Sequence, residues 1–182
     1  LNIASAIAGL ETLDLLPDKQ GIERAIKRTK VPGRLTTYAC EYQGQKISFV
    51  LDVAHNGQAA EYLAQQIKDT DTAILAMLAD KEPAAVVSAL HSIRFWHFAG
   101  LDGYRGQTAK ELTGKALSKH ESIKTDVELH ASVYQAITDI IKSKRFQQGE
   151  ITTPVLIIGS FLTVSAAEEA LKTIEGLTIN GN

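Results

Sequence analysis

The stretch Ile47-Ser48-Phe49-Val50-Leu51-Asp52-Val53-Ala54-His55-Asn56, followed by Gly57-Gln58-Ala59-Ala60-Glu61-Tyr62-Leu63, decides the fold. Its first residues form a short apolar run that reads as a buried strand, and from Gln58 to Ile67 the pattern reads as a helix. Between the two, Asp52, His55 and Asn56 occupy the place where a strand's carboxyl end meets a helix's amino end. In open α/β sheets that crevice is where ligands bind. The unpaired N–H groups of a helix's first turn also favour phosphate or carboxylate there.

The pattern extends outward in both directions. Upstream, residues 35–43 and 46–52 read as two strands joined by a hairpin at Gly44-Gln45. Val31-Pro32-Gly33-Arg34 before them is a turn, because proline fixes φ and glycine permits positive φ. Residues 1–16 read as a helix stopped by Pro17, and 18–29 as a second helix. Downstream, strands at 72–78, 95–99 and 154–158 alternate with helices at 83–93, 108–117, 133–144 and 161–174, with a less defined strand near Ile123. Such alternation, with uninterrupted apolar strands, implies an α/β fold: a mixed, mostly parallel sheet with helices on both faces, preceded by a short helical segment. The boundary falls near residue 30, giving a helical piece at 1–30 and an α/β domain at 31–182. The chain starts at Leu1, already in a helical pattern, and is expected to be cut from a longer protein.

Composition removes several function classes. A formal net charge of -2 leaves no basic excess to neutralise phosphates, so binding of nucleic acid through bulk charge is not expected. The cluster Lys142-Ser143-Lys144-Arg145 reads as a solvated helix end. A single cysteine, Cys40, excludes an intrachain disulfide and a cysteine-based zinc site, and its place in an alternating strand makes it passive. No apolar run is long enough to cross a bilayer, so no membrane partner and a cytoplasmic setting are expected.

The chemistry-bearing residues gather at strand ends. Asp52 has two readings: it caps the next helix, or it accepts hydrogen bonds from ribose hydroxyls. His55 could stabilise or orient an anion. Arg34 offers a forked donor set suited to phosphate or carboxylate. Ser160, after Gly159, either caps a helix or binds an anion. Asp80-Lys81 and Arg105-Gly106 also follow strands, so four strand ends point to one crevice. There is neither a Gly-x-x-x-x-Gly-Lys-Ser/Thr loop nor a Gly-x-Gly-x-x-Gly fingerprint, so an ATP site here lacks its own phosphate cradle. His91, His97, His120 and His130 show no metal-ligand spacing and read as surface or packing residues.

Taken in order, Val31-Pro32-Gly33-Arg34, Leu51-Asp52-Val53-Ala54-His55-Asn56, Met77-Leu78-Ala79-Asp80-Lys81 and Gly159-Ser160-Phe161-Leu162-Thr163-Val164 resemble the C-terminal domain of the bifunctional folylpolyglutamate synthase/dihydrofolate synthase family, within the Mur ligase superfamily. Leu1-Asn2-Ile3-Ala4-Ser5-Ala6 is similar to the helix that ends that family's central ATPase domain. The resemblance implies a Rossmann-like domain preceded by the remnant of that ATPase domain. It implies that Asn2, Arg34 and Asp52 contact ATP, with Arg34 at the phosphates and Asp52 at the ribose. His55, as the catalytic candidate, and Ser160 would meet the incoming L-glutamate. The implied reaction adds L-glutamate to dihydropteroate or a reduced folate through an acyl phosphate, using ATP and Mg2+. The phosphate loop, the metal ligands and the modified lysine belong to the family's N-terminal region, so the isolated chain is expected to be a catalytically inactive monomer. Two positions depart from the pattern: Gly57 stands where proline is usual, and Leu162 where histidine is frequent. The rival readings are a peptidoglycan-branch ligase domain and a stand-alone receiver-like α/β binding module. The latter should cluster acids after its first strand, where only Asp52 lies.

Overall fold

The computed structural model describes residues 2–28, 33–67, 69–118 and 125–180. The turn residues Val31 and Pro32, His120, and the strand expected near Ile123 lie outside the described residues. The chain divides into two units, Leu1–Pro32 and Gly33–Asn182.

The first unit holds α1 (Asn2–Thr12) and α2 (Lys19–Arg28). Helix α1 ends well before Pro17, unlike the helix expected over 1–16. Asp14 takes φ 53°, and Leu15 N–H donates back to Leu10 O at 2.9 Å, a left-handed C-terminal cap that stops the helix without proline. Asp18 accepts from Gly21 N–H at 2.7 Å and starts α2.

The second unit is a seven-stranded sheet. Its strands are β1 (Thr36–Tyr42), β2 (Gln45–Asp52), β3 (Thr72–Leu75), β4 (Phe95–Ala99), β5 (Asp126–His130), β6 (Val155–Ile158) and β7 (Leu177–Ile179), in the order β5-β4-β3-β6-β2-β1-β7. β2, β6, β3, β4 and β5 run parallel, and β1 pairs antiparallel with β2 and β7. The hairpin turns at Gln43-Gly44 rather than Gly44-Gln45. Both residues have positive φ, 51° and 80°, the two-residue geometry that matches strand twist.

The helices are α3 (Gly57–Gln66), α4 (Pro83–Ala89), α5 (Ala109–Ala116), α6 (Val133–Lys142), α7 (Lys144–Gln147) and α8 (Phe161–Thr173). One core packs α3, α4 and α5 on Leu75, Trp96, Phe98, Leu156 and Ile158. The other packs α6, α7 and α8 on Phe49, Leu51, Ile74, Val155 and Ile157. Neighbouring residues such as Leu156 and Ile157 thus feed opposite cores, as a strand covered on both faces requires. Each such buried side chain contributes about 1.5–3 kcal/mol.

The Lys142–Arg145 cluster does lie at a helix end, with Lys142 and Lys144 exposed, but Arg145 is drawn into contacts. Ser143 breaks the helix, its hydroxyl accepting from Phe146 N–H at 3.2 Å. Arg145 stacks 3.3 Å from the Phe95 ring centroid and pairs with Asp71 (3.6 Å) and Glu150 (3.9 Å). Cys40 is buried, and burial pushes its thiol up to about 11, so it stays protonated and inert.

Candidate functional site

The helices after β2, β3 and β4 leave toward one face of the sheet, and those after β5 and β6 toward the other. Where neighbouring strands send their helices apart, a crevice opens at their carboxyl ends. This happens at β2/β6/β3 and again at β4/β5.

At the first split, Asp52 ends β2 beside Ile158 of β6, and Ala76 N–H donates to Ile158 O at 3.1 Å. Asp52 is buried, and its carboxylate works on the backbone. Oδ2 accepts from Leu35 N–H at 3.0 Å, and Oδ1 accepts from Ala54 N–H at 2.8 Å. Asp52 therefore does not cap α3. That role falls to Asn56, whose side chain accepts from Ala59 N–H at 2.9 Å. The bond from Val53 N–H to Gly33 O (2.8 Å) completes a strap that lays the Gly33-Arg34-Leu35 turn across the strand end. Gly33 (φ 72°) is required here, because a Cβ would come within 3.0 Å of Val53 Cγ1 and 3.3 Å of Val164 Cγ1.

The strap presents Arg34, whose Nη1 lies 3.7 Å from Asp52 Oδ1 and whose side chain is 47% exposed, so its fork stays reachable. His55 Nδ1–H donates to Val53 O at 2.9 Å. That bond fixes the ring and leaves Nε2 as the atom able to meet a ligand.

Ser160 lies two residues beyond β6, buried, at the N-terminus of α8. Its hydroxyl accepts from Thr163 N–H at 3.0 Å. Thr163 Oγ1 spends its own proton on Ala76 O (2.5 Å), so Ser160 donates to Thr163 Oγ1 (2.7 Å). One lone pair on Ser160 remains, enough to accept from an N–H donor but not to donate to an anion. Gly159 before it has φ 134°, and a Cβ there would meet Ala76 O at 2.1 Å. The backbone after β6 can press on the end of β3 only through glycine.

The loops after β3 and β4 continue the edge. Asp80 is bound by Arg105 and lies 3.4 Å from Lys81, and the Arg105 guanidinium holds the Asp80 carboxyl below its usual range. Lys115 Nζ donates to Ala79 O and to Gln107 Oε1, both at 2.9 Å, tying α5 to the same loops. Cavities of about 720 Å3 (Lys81, Pro83, Ser88, Glu111, Lys115) and about 580 Å3 (Gly100, Asp102, Gln107, Thr108, His130) flank them.

Arg34, Asp52, His55 and Ser160 thus gather at one sheet edge, with Asp80 and Arg105 further along it. Asn2 belongs to the other unit. The two departures also have visible settings. At Gly57 a Cβ would lie 3.3 Å from Ala85 Cβ, so glycine lets α3 start hard against α4, and the Asn56 cap keeps that start defined. Leu162 is 54% exposed, next to exposed Phe161, leaving an apolar rim at the head of α8. The sequence reading missed Thr163, whose three-residue spacing from Ser160 was a usable capping signal, and Gln107, a buried clamp with no local signal.

His97 and His130 are buried, as packing residues are, and they also meet each other: His97 Nδ1 and His130 Nε2 are 3.0 Å apart on paired strands. Among the described residues, no helix is long and apolar enough to cross a membrane.

Comparison with known proteins fits this geometry. The dihydrofolate synthase/folylpolyglutamate synthase of Escherichia coli K12 is 29% identical over 176 residues, covering 93% of this chain and 37% of that protein. The protein of the same name from Buchnera aphidicola (Schizaphis graminum) is 29% identical over 170 residues, covering 90% and 37%. The chain therefore spans little more than a third of the relatives it matches. Among solved structures, E. coli FolC in complex with DHPP and ADP superimposes with a TM-score of 0.68 at 29% identity, covering 94% of this chain and 38% of that one. A bifunctional folylpolyglutamate synthase/dihydrofolate synthase from Yersinia pestis CO92 gives 0.66 at 26% identity, covering 93% and 38%. The family model for the glutamate ligase domain of Mur ligases matches residues 33–161, the span from the Arg34 strap to the head of α8, and the chain belongs to that family.

Proposed function

We propose that this chain is the glutamate-ligase lobe of an ATP-dependent folate amide ligase, a folylpolyglutamate synthase/dihydrofolate synthase. The observation that carries the reading is the Asp52-anchored strap, which holds out Arg34 beside the Ser160 cap in a chain similar to such ligases over nine-tenths of its length.

In this reading ATP phosphorylates a carboxylate of dihydropteroate or a reduced folate. The amine of L-glutamate then attacks the acyl phosphate, forming the amide and releasing phosphate, with ADP as the other product. A relative from the same group is described with Mn, AMPPNP and L-glutamate bound. Mg2+ would neutralise charge on the transferring phosphoryl group, with ligands outside this chain.

The residues present fit a nucleotide. Arg34 supplies an exposed cationic fork for phosphate. A carboxylate has about four acceptor positions, so Asp52 can hold Leu35 and Ala54 and still accept from a ribose hydroxyl. His55 Nε2 would orient the incoming glutamate, acting as the candidate catalytic group. Ser160, with only a lone pair to offer, would accept from the glutamate amine rather than bind its carboxylate. Residues 1–30 would be the end of a central ATPase domain, with Asn2 directed to ATP. Closure of the two lobes over ATP would then complete the site, so the chain alone would be inactive. A monomeric cytoplasmic enzyme fits the same picture.

The test uses the complete ligase that carries this sequence. Arg34→Ala should lower kcat/KM for ATP-dependent glutamate addition to dihydropteroate by about 10–100-fold, the cost of one charge-assisted contact. A wild-type rate would remove Arg34 from the site, and no reaction of the parent enzyme with either dihydropteroate or a reduced folate would end the folate reading.

A further inference from the structure

On the far side of the sheet from Asp52, the edge strand β5 carries Glu128 and His130 on the face that packs on α6, and His97 of β4 lies opposite Glu128 in register. His97 Nδ1 and His130 Nε2 are 3.0 Å apart, and Glu128 Oε2 lies 3.6 Å from the first and 3.8 Å from the second. A triangle with those sides has a centre about 2.0 Å from each corner, the bond length of zinc to imidazole nitrogen or carboxylate oxygen.

We propose that His97, His130 and Glu128 form a divalent transition-metal site of the zinc class, distinct from the ligase crevice, that pins the edge strand β5 to β4.

Three features support it. Both histidines are buried, while Glu128 is 64% exposed and gives an ion a way in. His130 Nδ1–H donates to Asp139 Oδ2 of α6 at 3.0 Å, which fixes the tautomer that aims the Nε2 lone pair inward. A carboxylate behind a ligating imidazole is the common outer partner of metal sites. A cavity of about 40 Å3 beside His97 and Glu128, also lined by Phe95, Ile140 and Arg145, has room for a water next to two of the three ligands. Arg145 lines the same cavity, and its charge is shared with Asp71 and Glu150.

The competing arrangement is a plain hydrogen-bond chain in which His97 donates to His130 and His130 to Asp139. The two differ in what happens when metal is offered. Untagged, chelator-treated chain is titrated with Co2+, and the visible d–d absorption is followed. A metal site gives saturable absorption at one equivalent with four-coordinate intensity, displaced by Zn2+. Zn2+ at about a hundredfold excess over its dissociation constant should raise the unfolding midpoint by about 5 °C or more. His97→Gln or His130→Gln should abolish the band, and Asp139→Asn should weaken binding about 10–100-fold. Glu128→Gln, at an exposed position that leaves the fold intact, should weaken it at least about tenfold and keeps the test decisive if the histidine variants fail to fold. No band on folded chain, or a band unchanged in Glu128→Gln, overturns the site in favour of the hydrogen-bond chain.

Discussion

The centre of the sheet and its β5 edge use polar side chains in opposite ways. At the centre, where β2, β6 and β3 meet, Asp52, Asn56, Ser160 and Thr163 are turned onto the backbone, where they hold a strap and two helix starts. The groups left facing outward are a half-exposed arginine and an imidazole anchored by one nitrogen. At the β4/β5 end, His97, His130, Glu128 and Asp139 meet one another instead. Side chains committed to backbone N–H groups build a rigid frame for a ligand that arrives from outside. Side chains aimed at one another define a point, which suits a small ion. The contrast also separates the residues that make the frame from those that would touch substrate.

The sharpest way to break that contrast is Gly159→Ala. The new Cβ would meet Ala76 O at 2.1 Å in a backbone region that disfavours side chains, so urea unfolding should show a loss of about 3–5 kcal/mol, or no folded protein. A mild effect would mean the β3 and β6 ends are not held together as described. Next comes Asp52→Asn. An amide has one oxygen and must present its NH2 to Leu35 N–H or Ala54 N–H, which should cost about 2 kcal/mol in the same assay.

Arg34→Ala sharpens the comparison from the other side. Its ion pair with Asp52 is long and half exposed, so stability should change by less than about 0.5 kcal/mol while ligase activity falls. Equal stability losses at Asp52 and Arg34 would contradict the split between frame and contact.

The smallest effect is at Asp80, followed by NMR titration of its carboxyl. The Arg105 guanidinium lowers its pKa from 3.8, so the folded state holds this proton less tightly than the unfolded chain. The stability it lends is present above pH about 3.8 and lost as pH falls through the lowered value. Arg105→Ala should move the titration back up toward 3.8, whereas an unmoved curve would mean the Asp80–Arg105 contact is not populated in solution.

Much of this is legible in the sequence. The both-face burial of β3 and β6 was visible as unbroken apolar runs, and strand 95–99 falls where the sequence placed it. The early stop of α1 was not, because Asp14 enters the left-handed region without glycine or proline to announce it. Strand β5 was legible only as an ill-defined strand near Ile123, short of its position at Asp126–His130. It is exposed at four of its five positions and has no apolar face to mark it, as an edge strand lacks the burial that creates the pattern.

The sequence alone determined the α/β alternation, the position of the Asp52-His55-Asn56 element at a strand's end, and caps such as Ser160, since these depend on bonds spanning three or four residues. Tertiary structure alone decided that β6 inserts between β2 and β3, bringing Ser160 beside Asp52, and that His97 meets His130 across 33 residues. Strand order and register are settled by how two apolar faces are covered at once. That is a property of the whole packed chain, and no local spacing encodes it.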